Sequence, residues 1–258
     1  MIYTCYEMIR DCAAGKPEGW RYFISNYVPV IRKLTAHYDP SADTGRVVGR
    51  ILNATCRPAA PLFDSLDPSP ERWFVARLRQ TMMSEMEPAA PPEMPLSLET
   101  VGDALAPLSI TQKLAVWMET MRYDAAQTGA MLRMAPATVE KTRDHGADLL
   151  RRKVENWRRT ILAENGFPLQ KTAGQMGSKD CLPPRVFLDV LDGRATWQGR
   201  EEMERHAGDC WHCVDNFARM AEVIELLRGI RPIDDAETAA WLESIGVHDV
   251  RSGFWRRR

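Results

Sequence analysis

Apolar residues recur at intervals of three and four along most of this chain of 258 residues, the spacing that places them on one face of an α-helix. No segment alternates apolar and polar residues convincingly, as a half-buried strand does, and no Asn-Gly or Asp-Gly pair joins two strand-like runs. The sequence therefore predicts an all-α fold. The clearest helical stripe consists of Trp20, Phe23, Ile24, Tyr27, Val30, Ile31 and Leu34.

The composition is that of an ordinary globular protein, with 45% apolar and 27% charged residues. The N-terminus lacks the pattern of a secretory signal, and no window approaches the roughly 20 apolar residues that span a bilayer. We therefore expect a cytoplasmic protein without membrane contact, where clustered cysteines more often bind metal than form disulfides. Because the formal net charge is −1, any contact with nucleic acid needs a local basic patch.

Two segments have the composition of linkers. Residues 88–97 are rich in proline, which disfavours the interior of a helix. Residues 165–179 are rich in Gly, Gln, Lys and Ser and lack a clear apolar period. These segments divide the chain into three small helical domains and a tail. The predicted domains are 1–87, 98–164 and 180–230, followed by a C-terminal tail at 231–258.

The middle domain has the pattern of a helix-turn-helix. Helices are predicted near Ile110–Met121 and Asp124–Leu132, and a third begins at Pro136, a residue that suits the first turn of a helix. About three residues join the last two helices, as in DNA-binding helix-turn-helix motifs. Basic residues outnumber acidic ones between 133 and 160, which supplies a local patch. A plain helical hairpin with a solvated basic face is the alternative.

In a helix-turn-helix the third helix enters the major groove, which assigns two roles to its exposed side chains. The residues predicted to face base edges are Thr138, Glu140, Lys141 and Thr142. The residues predicted to meet DNA phosphates are Arg143, Arg151, Arg152 and Lys153. Together these eight residues are the DNA-binding surface that the sequence predicts.

A histidine and two cysteines follow one another at ligand-like intervals in the last third of the chain. His206, Cys210 and Cys213 are spaced so that a helix or helical turn directs all three to one side. Thiolate and imidazole groups suit tetrahedral Zn²⁺, and a closed structural site needs a fourth ligand. Cys181 is the first candidate for that position and His212 is the competitor. Three incidental residues on a helical core are the alternative.

Zinc would have a structural role in such a domain. A small helical unit has little core of its own, so a bound zinc ion would contribute folding free energy directly. Four protein ligands leave no open coordination position for catalysis. The sequence also contains no P-loop, no Gly-x-Gly-x-x-Gly and no Gly-x-Ser-x-Gly motif. We therefore predict a zinc-stabilised domain in a protein that is not an enzyme.

Two parts of the chain resemble sigma factors of the sigma-70 family. Residues 105–116 and 127–139 resemble the start and the helix-turn-helix of region 4. Residues 6–30 and 73–79 resemble region 2 in the extracytoplasmic-function group of that family. This resemblance implies partners: RNA polymerase core for the whole protein, and promoter DNA at the −10 element for region 2 and at the −35 element for region 4.

A third part resembles the zinc-binding anti-sigma domain. Cys181, then residues 186–193 and 201–206, then Cys210 and Cys213 follow the layout of that family in order. The resemblance implies a Zn²⁺ cofactor and intramolecular docking of this domain on the sigma-like domains, where it blocks polymerase binding. The predicted function is therefore a sigma-factor-like regulator of transcription initiation that its own C-terminal zinc domain controls in cis.

Some positions differ from the sigma-factor pattern and support a second hypothesis. Arg133 stands at the turn where the family usually has glycine. Residues 142–147 replace an Arg-rich stretch, and residues 42–50 include two glycines where the family has an acidic helix. The alternative is a sigma-derived regulatory or protein-interaction module that does not initiate transcription and binds DNA weakly or not at all.

Overall fold

The computed structural model describes residues 3–57, 60–63, 71–85 and 92–247, and over these residues the chain forms helices and no strand. This confirms the predicted all-α class. The helices are α1 Cys5–Ala13, α2 Pro17–Tyr38, α3 Thr44–Thr55, α4 Glu71–Glu85, α5 Leu98–Leu105, α6 Ile110–Thr120, α7 Ala125–Leu132, α8 Pro136–Arg151, α9 Ile161–Glu164, α10 Gly166–Gln175, α11 Pro184–Leu191, α12 Trp197–Asp209, α13 Trp211–Leu227 and α14 Asp235–Ser244, with a short 3-10 helix at Pro61–Phe63.

The chain divides into two compact units. The first unit combines residues 1–87 with residues 226–258, and the second consists of residues 88–225. The predicted boundary at 165–179 falls within the second unit, and the predicted tail belongs to the first. Part of the proline-rich linker and the last eleven residues of the tail lie outside the described residues. The organisation into three domains stays a prediction.

An aromatic cluster fills the core of the first unit. Phe23 and Tyr27 lie on the apolar face of α2 and pack against Phe63 and Phe74, with ring centroids between 5.0 and 6.1 Å apart. Each of these four side chains is at most 2% exposed. Offset and edge-on aromatic pairs of this kind stabilise a core beyond the apolar area that they bury. Pro29 lies inside α2, which continues beyond it.

Helix α14 packs against α2 within the first unit. The Ile233 N–H donates to the carbonyl of Ser25 at 2.9 Å, and the Ser25 hydroxyl donates to the carbonyl of Ile233 at 3.3 Å. In the first turn of α14, Glu237 forms an ion pair with Arg32 of α2. The segment predicted as a tail forms a helix because Asp234 caps its start, accepting a hydrogen bond from the Glu237 N–H at 2.7 Å.

The three helices of the predicted helix-turn-helix are confirmed, and capping residues explain where they begin. The Ser109 hydroxyl accepts from the Gln112 N–H at 3.4 Å at the start of α6. The Asp124 carboxylate accepts from the Gln127 N–H at 2.7 Å at the start of α7. In both cases the backbone N–H of the capping residue donates to the glutamine side-chain oxygen, which completes a capping box. Pro136 occupies the first turn of α8.

The turn between α7 and α8 is made without glycine. Arg133 ends α7 in the left-handed conformation, with φ of 56° and ψ of 42°, at the position where the sigma-factor pattern has glycine. A residue with a Cβ atom pays roughly 1 kcal/mol or more for that conformation. Ala115, Ala125 and Val139 form the small core that α6, α7 and α8 share. The three helices therefore pack together with an arginine, and not a glycine, at the turn.

Helix α10 occupies most of the segment predicted as the second linker. Leu169 and Ala173 are buried, and the Gln170 side chain donates to the Thr120 carbonyl of α6 at 2.9 Å. The polar composition of this segment conceals a short stripe of inward-facing residues at intervals of three and four, so the helix was not predicted, and the domain boundary at 165–179 stays a prediction. Helix α10 therefore packs against α6 of the helix-turn-helix.

Gly166, at the start of α10, provides a stability test of this packing. A Cβ atom there would overlap the backbone carbonyl of Thr120 in α6, so we expect Gly166→Ala to lower the free energy of unfolding by about 2 kcal/mol. Urea denaturation measures the change. The control is Gly208→Ala, because a Cβ at Gly208 meets nothing within 4 Å and should not lower the midpoint. An unchanged midpoint for Gly166→Ala would contradict the close approach of α10 to α6.

Candidate metal centre

Three cysteines and one histidine meet in the second unit. One ligand atom from each of Cys181, His206, Cys210 and Cys213 lies within 4.8 Å of every other. His206 is in the last turn of α12, Cys213 is in the first turn of α13, and Cys181 lies in the loop before α11. Cys210 adopts an extended conformation between α12 and α13, and this break in the helix turns its thiol towards the other ligands.

The structure distinguishes the two candidates for the fourth ligand position. His212 lies outside the cluster, since its Nδ1 is 3.0 Å from the Ala173 carbonyl and its Nε2 is 2.9 Å from the Asn216 amide. Cys181 is in the cluster, with its Sγ 3.9 Å from that of Cys210. Within the described residues the buried Nε2 of His206 has no hydrogen-bond partner. A buried imidazole nitrogen beside three thiols fits a metal ligand.

Backbone N–H groups adjust the acidity of two of the thiols. Burial raises the pKa of Cys213 to about 12, although a hydrogen bond from the backbone of Leu182 acts in the opposite direction. Burial also acts to raise the pKa of Cys181, but hydrogen bonds with Ser178, Cys210 and Cys213 together outweigh it and hold that pKa below its ordinary value. The Ser178 N–H donates to the Cys181 sulfur at 3.3 Å. Such N–H groups favour thiolate ligands and orient them.

This arrangement can hold one metal ion. Three thiolates and one imidazole form a donor set that suits soft and borderline divalent ions in tetrahedral geometry. All four ligands come from the protein, which is the composition of a structural site. The part of the chain that the structure describes contains no arrangement that points to an enzyme.

The segment that carries the ligands is packed against α6 and the turn after it through buried polar contacts. The Trp117 indole N–H donates to the Asp215 carboxylate at 3.1 Å, and the Tyr123 hydroxyl donates to the Glu222 carboxylate at 2.8 Å. Both carboxylates are fully buried, and Arg219 forms an ion pair with Asp215. The sequence analysis missed these residues, although acidic side chains on the apolar helix α13 are a recognisable signal, since a buried carboxylate needs a partner.

The predicted DNA-binding residues do not form one surface. The exposed ones are Thr138, Glu140, Lys141, Arg151, Arg152 and Lys153. Thr142 and Arg143 are buried at 7% and 5% exposure, which corrects their predicted place on the outer face. The Thr142 hydroxyl donates to the Thr138 carbonyl one turn earlier in α8, at 2.8 Å.

Arg143 has a structural role inside the helix-turn-helix. Its guanidinium donates to the Ala115 carbonyl at 3.0 Å, the Tyr123 carbonyl at 3.0 Å and the Thr128 hydroxyl at 2.8 Å. Burial lowers its pKa, while the Glu119 carboxylate, 3.9 Å away, acts in the opposite direction. The helical period could have indicated this position, because Arg143 lies on the α8 face that includes Val139, Gly146 and Leu150.

The exposed face of α8 carries a row of acidic residues that the sequence analysis did not single out. Glu140, Asp144 and Asp148 are each four residues apart and therefore share one face. Arg159 lies 2.7 Å from Glu140 and 3.6 Å from Asp144, and Arg151 lies 3.0 Å from Asp148. Two of the basic residues counted in the predicted patch are thus paired within the protein.

Comparison with protein-family models, curated proteins and solved structures finds no match to this chain. Among the described helices, none is both long enough and apolar enough to cross a bilayer. The candidate site is therefore defined by its own geometry: a four-ligand cluster next to a helix-turn-helix within the second unit.

Proposed function

We propose that this protein is a sigma-factor-like regulator of transcription initiation that binds RNA polymerase core and promoter DNA in the cytoplasm and is controlled in cis by its zinc-binding segment. The observation that carries the proposal is the pair of buried contacts Trp117–Asp215 and Tyr123–Glu222. They join the ligand-bearing segment to the helix-turn-helix in one unit. The resemblance of the sequence to sigma regions 2 and 4 and to the anti-sigma domain supplies the partners.

Zinc is the metal ion that we propose for the cluster. Cys181, His206, Cys210 and Cys213 would hold it, and the ion would cross-link the loop before α11 to the junction of α12 and α13. Zn²⁺ favours a tetrahedral set of thiolate and imidazole ligands and has no redox chemistry of its own, which suits a structural role. The ion would thereby stabilise the surface of α13 that contacts α6.

Control in cis is tested in the full chain by removing one hydrogen bond between the zinc-binding segment and the helix-turn-helix. Tyr123→Phe removes the hydroxyl that donates to Glu222 and leaves the aromatic ring in place. A lost buried hydrogen bond costs about 1–3 kcal/mol, so we expect weaker docking of the zinc-binding segment and roughly tenfold tighter binding to immobilised core polymerase. The control is Tyr6→Phe, which changes an exposed tyrosine of the first unit. If wild type and Tyr123→Phe bind core polymerase with equal affinity, the zinc-binding segment does not control polymerase binding in cis, and that part of the proposal is wrong.

A sigma-derived module that does not initiate transcription is the second candidate. The acidic row on α8 favours it, because carboxylates on the face that would approach DNA repel phosphates. Run-off transcription with core polymerase separates the two candidates. Initiation that falls when Arg151, Arg152 and Lys153 are replaced by alanine supports the first proposal, whereas core binding without initiation supports the second.

A further inference from the structure

A groove of about 640 Å³ lies in the second unit next to the candidate metal centre. It runs between α5, α6, α10 and the junction of α12 and α13. Met176, which is 56% exposed, provides apolar surface in the groove, and Leu98 and Trp211 line it with 5% and 9% of their surface exposed. An exposed methionine beside a groove is typical of a surface that binds another molecule.

Trp211 forms a fixed wall of the groove. It packs on Trp117 with ring centroids 5.1 Å apart. Gly102 of α5 leaves room for it, because a Cβ atom there would lie 2.8 Å from the indole nitrogen. Lys113 lies 5.9 Å from the Trp211 ring and donates to the Gly208 carbonyl, so its ammonium group is already engaged. The groove is thus a formed feature of the second unit.

Three carboxylates surround the apolar surface. Glu99 and Asp103 are four residues apart on α5, and Asp209 lies at the end of α12. Within the described residues Glu99 and Asp103 form no ion pair and no side-chain hydrogen bond, in contrast to Asp144 and Asp148 of α8, whereas the charge of Asp209 acts on Lys113. The groove therefore combines apolar contact area with two carboxylates of α5, Glu99 and Asp103, that the described residues do not pair.

We propose that this groove binds a short segment of a partner protein in which lysine or arginine side chains flank an apolar anchor residue. The anchor would contact Met176 and Trp211, and the cationic groups would pair with Glu99, Asp103 and Asp209. Long basic side chains suit such a site because their apolar stems can lie along Trp211 while their charged ends reach the carboxylates. This goes beyond the proposed function, since it needs neither polymerase nor DNA.

The groove is also linked to the metal centre through the chain. Asp209 and Trp211 are the residues on either side of the ligand Cys210. A metal ion that fixes Cys210 also fixes both neighbours, one in the acidic rim and one in the apolar wall. Binding of the basic segment should therefore be stronger in the metal-loaded protein than in the protein treated with a chelator.

The test uses the full metal-loaded chain and a fluorescein-labelled helical peptide of leucine, alanine and arginine with its leucines and arginines on one face. Fluorescence anisotropy measures the affinity. We expect the double variant Glu99→Gln with Asp103→Asn to bind about tenfold more weakly, as for the loss of two exposed ion pairs. Met176→Ser, which leaves the charge unchanged, should weaken binding about threefold. A peptide with glutamate in place of arginine should not bind.

The matched control is Glu201→Gln with Glu202→Gln, which removes two exposed carboxylates of α12 outside the groove. Equal losses in the two double variants would show general attraction to an acidic protein and would overturn the proposal. Undiminished binding by the Glu99 and Asp103 variant would also overturn it. A dimer in sedimentation that this variant dissociates would assign the groove to a second copy of the chain instead. None of these results depends on polymerase binding.

Discussion

Cys210→Ser is expected to abolish stable metal binding and to unfold the segment around α12 and α13. Cys210 is the ligand between two helices, and its sulfur lies 3.9 Å from that of Cys181. Serine replaces a thiolate by a hydroxyl that is not ionised at neutral pH, so the donor set loses a charge and a soft ligand. Structural zinc sites contribute their binding free energy to folding, which makes this loss a loss of stability.

The expected size of this effect is large. Apparent zinc binding in small zinc domains is worth roughly 10–16 kcal/mol, and we expect about 5 kcal/mol of that to be lost from the folding of the second unit. For a chain of this length the midpoint of thermal unfolding should fall by on the order of 10 °C. Metal content by mass spectrometry and thermal unfolding by circular dichroism are the two measurements. The protein purified with zinc should contain one equivalent, and Cys210→Ser should contain almost none.

Cys56→Ser is the matched control for the Cys210 substitution. Cys56 is a partly buried cysteine of the first unit and lies outside the ligand cluster. It should retain full metal content and change the midpoint only slightly. Full metal content in Cys210→Ser would show that Cys210 is not a ligand and would count against the whole four-residue site. His212→Gln should also keep the metal, since His212 contacts Ala173 and Asn216.

Arg143→Ala is expected to destabilise the second unit by about 3–5 kcal/mol. The substitution removes the donors of three hydrogen bonds and leaves two carbonyls and one hydroxyl with fewer partners in a buried place. It also removes the cation that faces the partly buried carboxylate of Glu119, 3.9 Å away. Urea denaturation followed by tryptophan fluorescence measures the change, because Trp117 lies on α6.

Lys141→Ala is the control for Arg143→Ala. It removes a positive charge from an exposed position two residues earlier on α8, and its expected cost is below about 0.5 kcal/mol. Comparing the two variants separates a structural role of Arg143 from a role in binding DNA phosphates. If the arginine met phosphates, Arg143→Ala would weaken DNA binding and leave stability unchanged. Because Arg143 is buried, we expect Arg143→Ala to lower the urea midpoint and to leave the salt dependence of DNA binding unchanged.

The parts of the fold that follow local rules were predictable from the sequence. The starts of α6, α7 and α8 coincide with Ser109, Asp124 and Pro136, because capping groups and proline act within one turn of chain. The metal cluster was predictable for a similar reason, since His206, Cys210 and Cys213 are close in sequence. Only Cys181 comes from a distance, and the structure was needed to choose it over His212.

Tertiary features were not predictable in the same way. The start of α14 carries a local cap at Asp234 that was overlooked, whereas its packing on α2 depends on residues about 200 positions away, such as Ser25 and Arg32. The burial of Arg143 depends on acceptors that α6 and α7 supply. A guanidinium that satisfies backbone carbonyls and one that binds phosphate have the same signature in sequence. Only the positions of α6 and α7 distinguish a buried arginine from one that binds phosphate.

The position of α14 also determines the order in which the two units can be completed during synthesis. The first unit is built from two stretches of chain, and the whole second unit is encoded between them. A ribosome therefore finishes the second unit, with its metal ligands, before the residues of α14 leave the exit tunnel. Until then the face of α2 that includes Ser25 and Arg32 has no covering helix. Nascent chains should accordingly acquire their metal centre before the first unit becomes resistant to proteases.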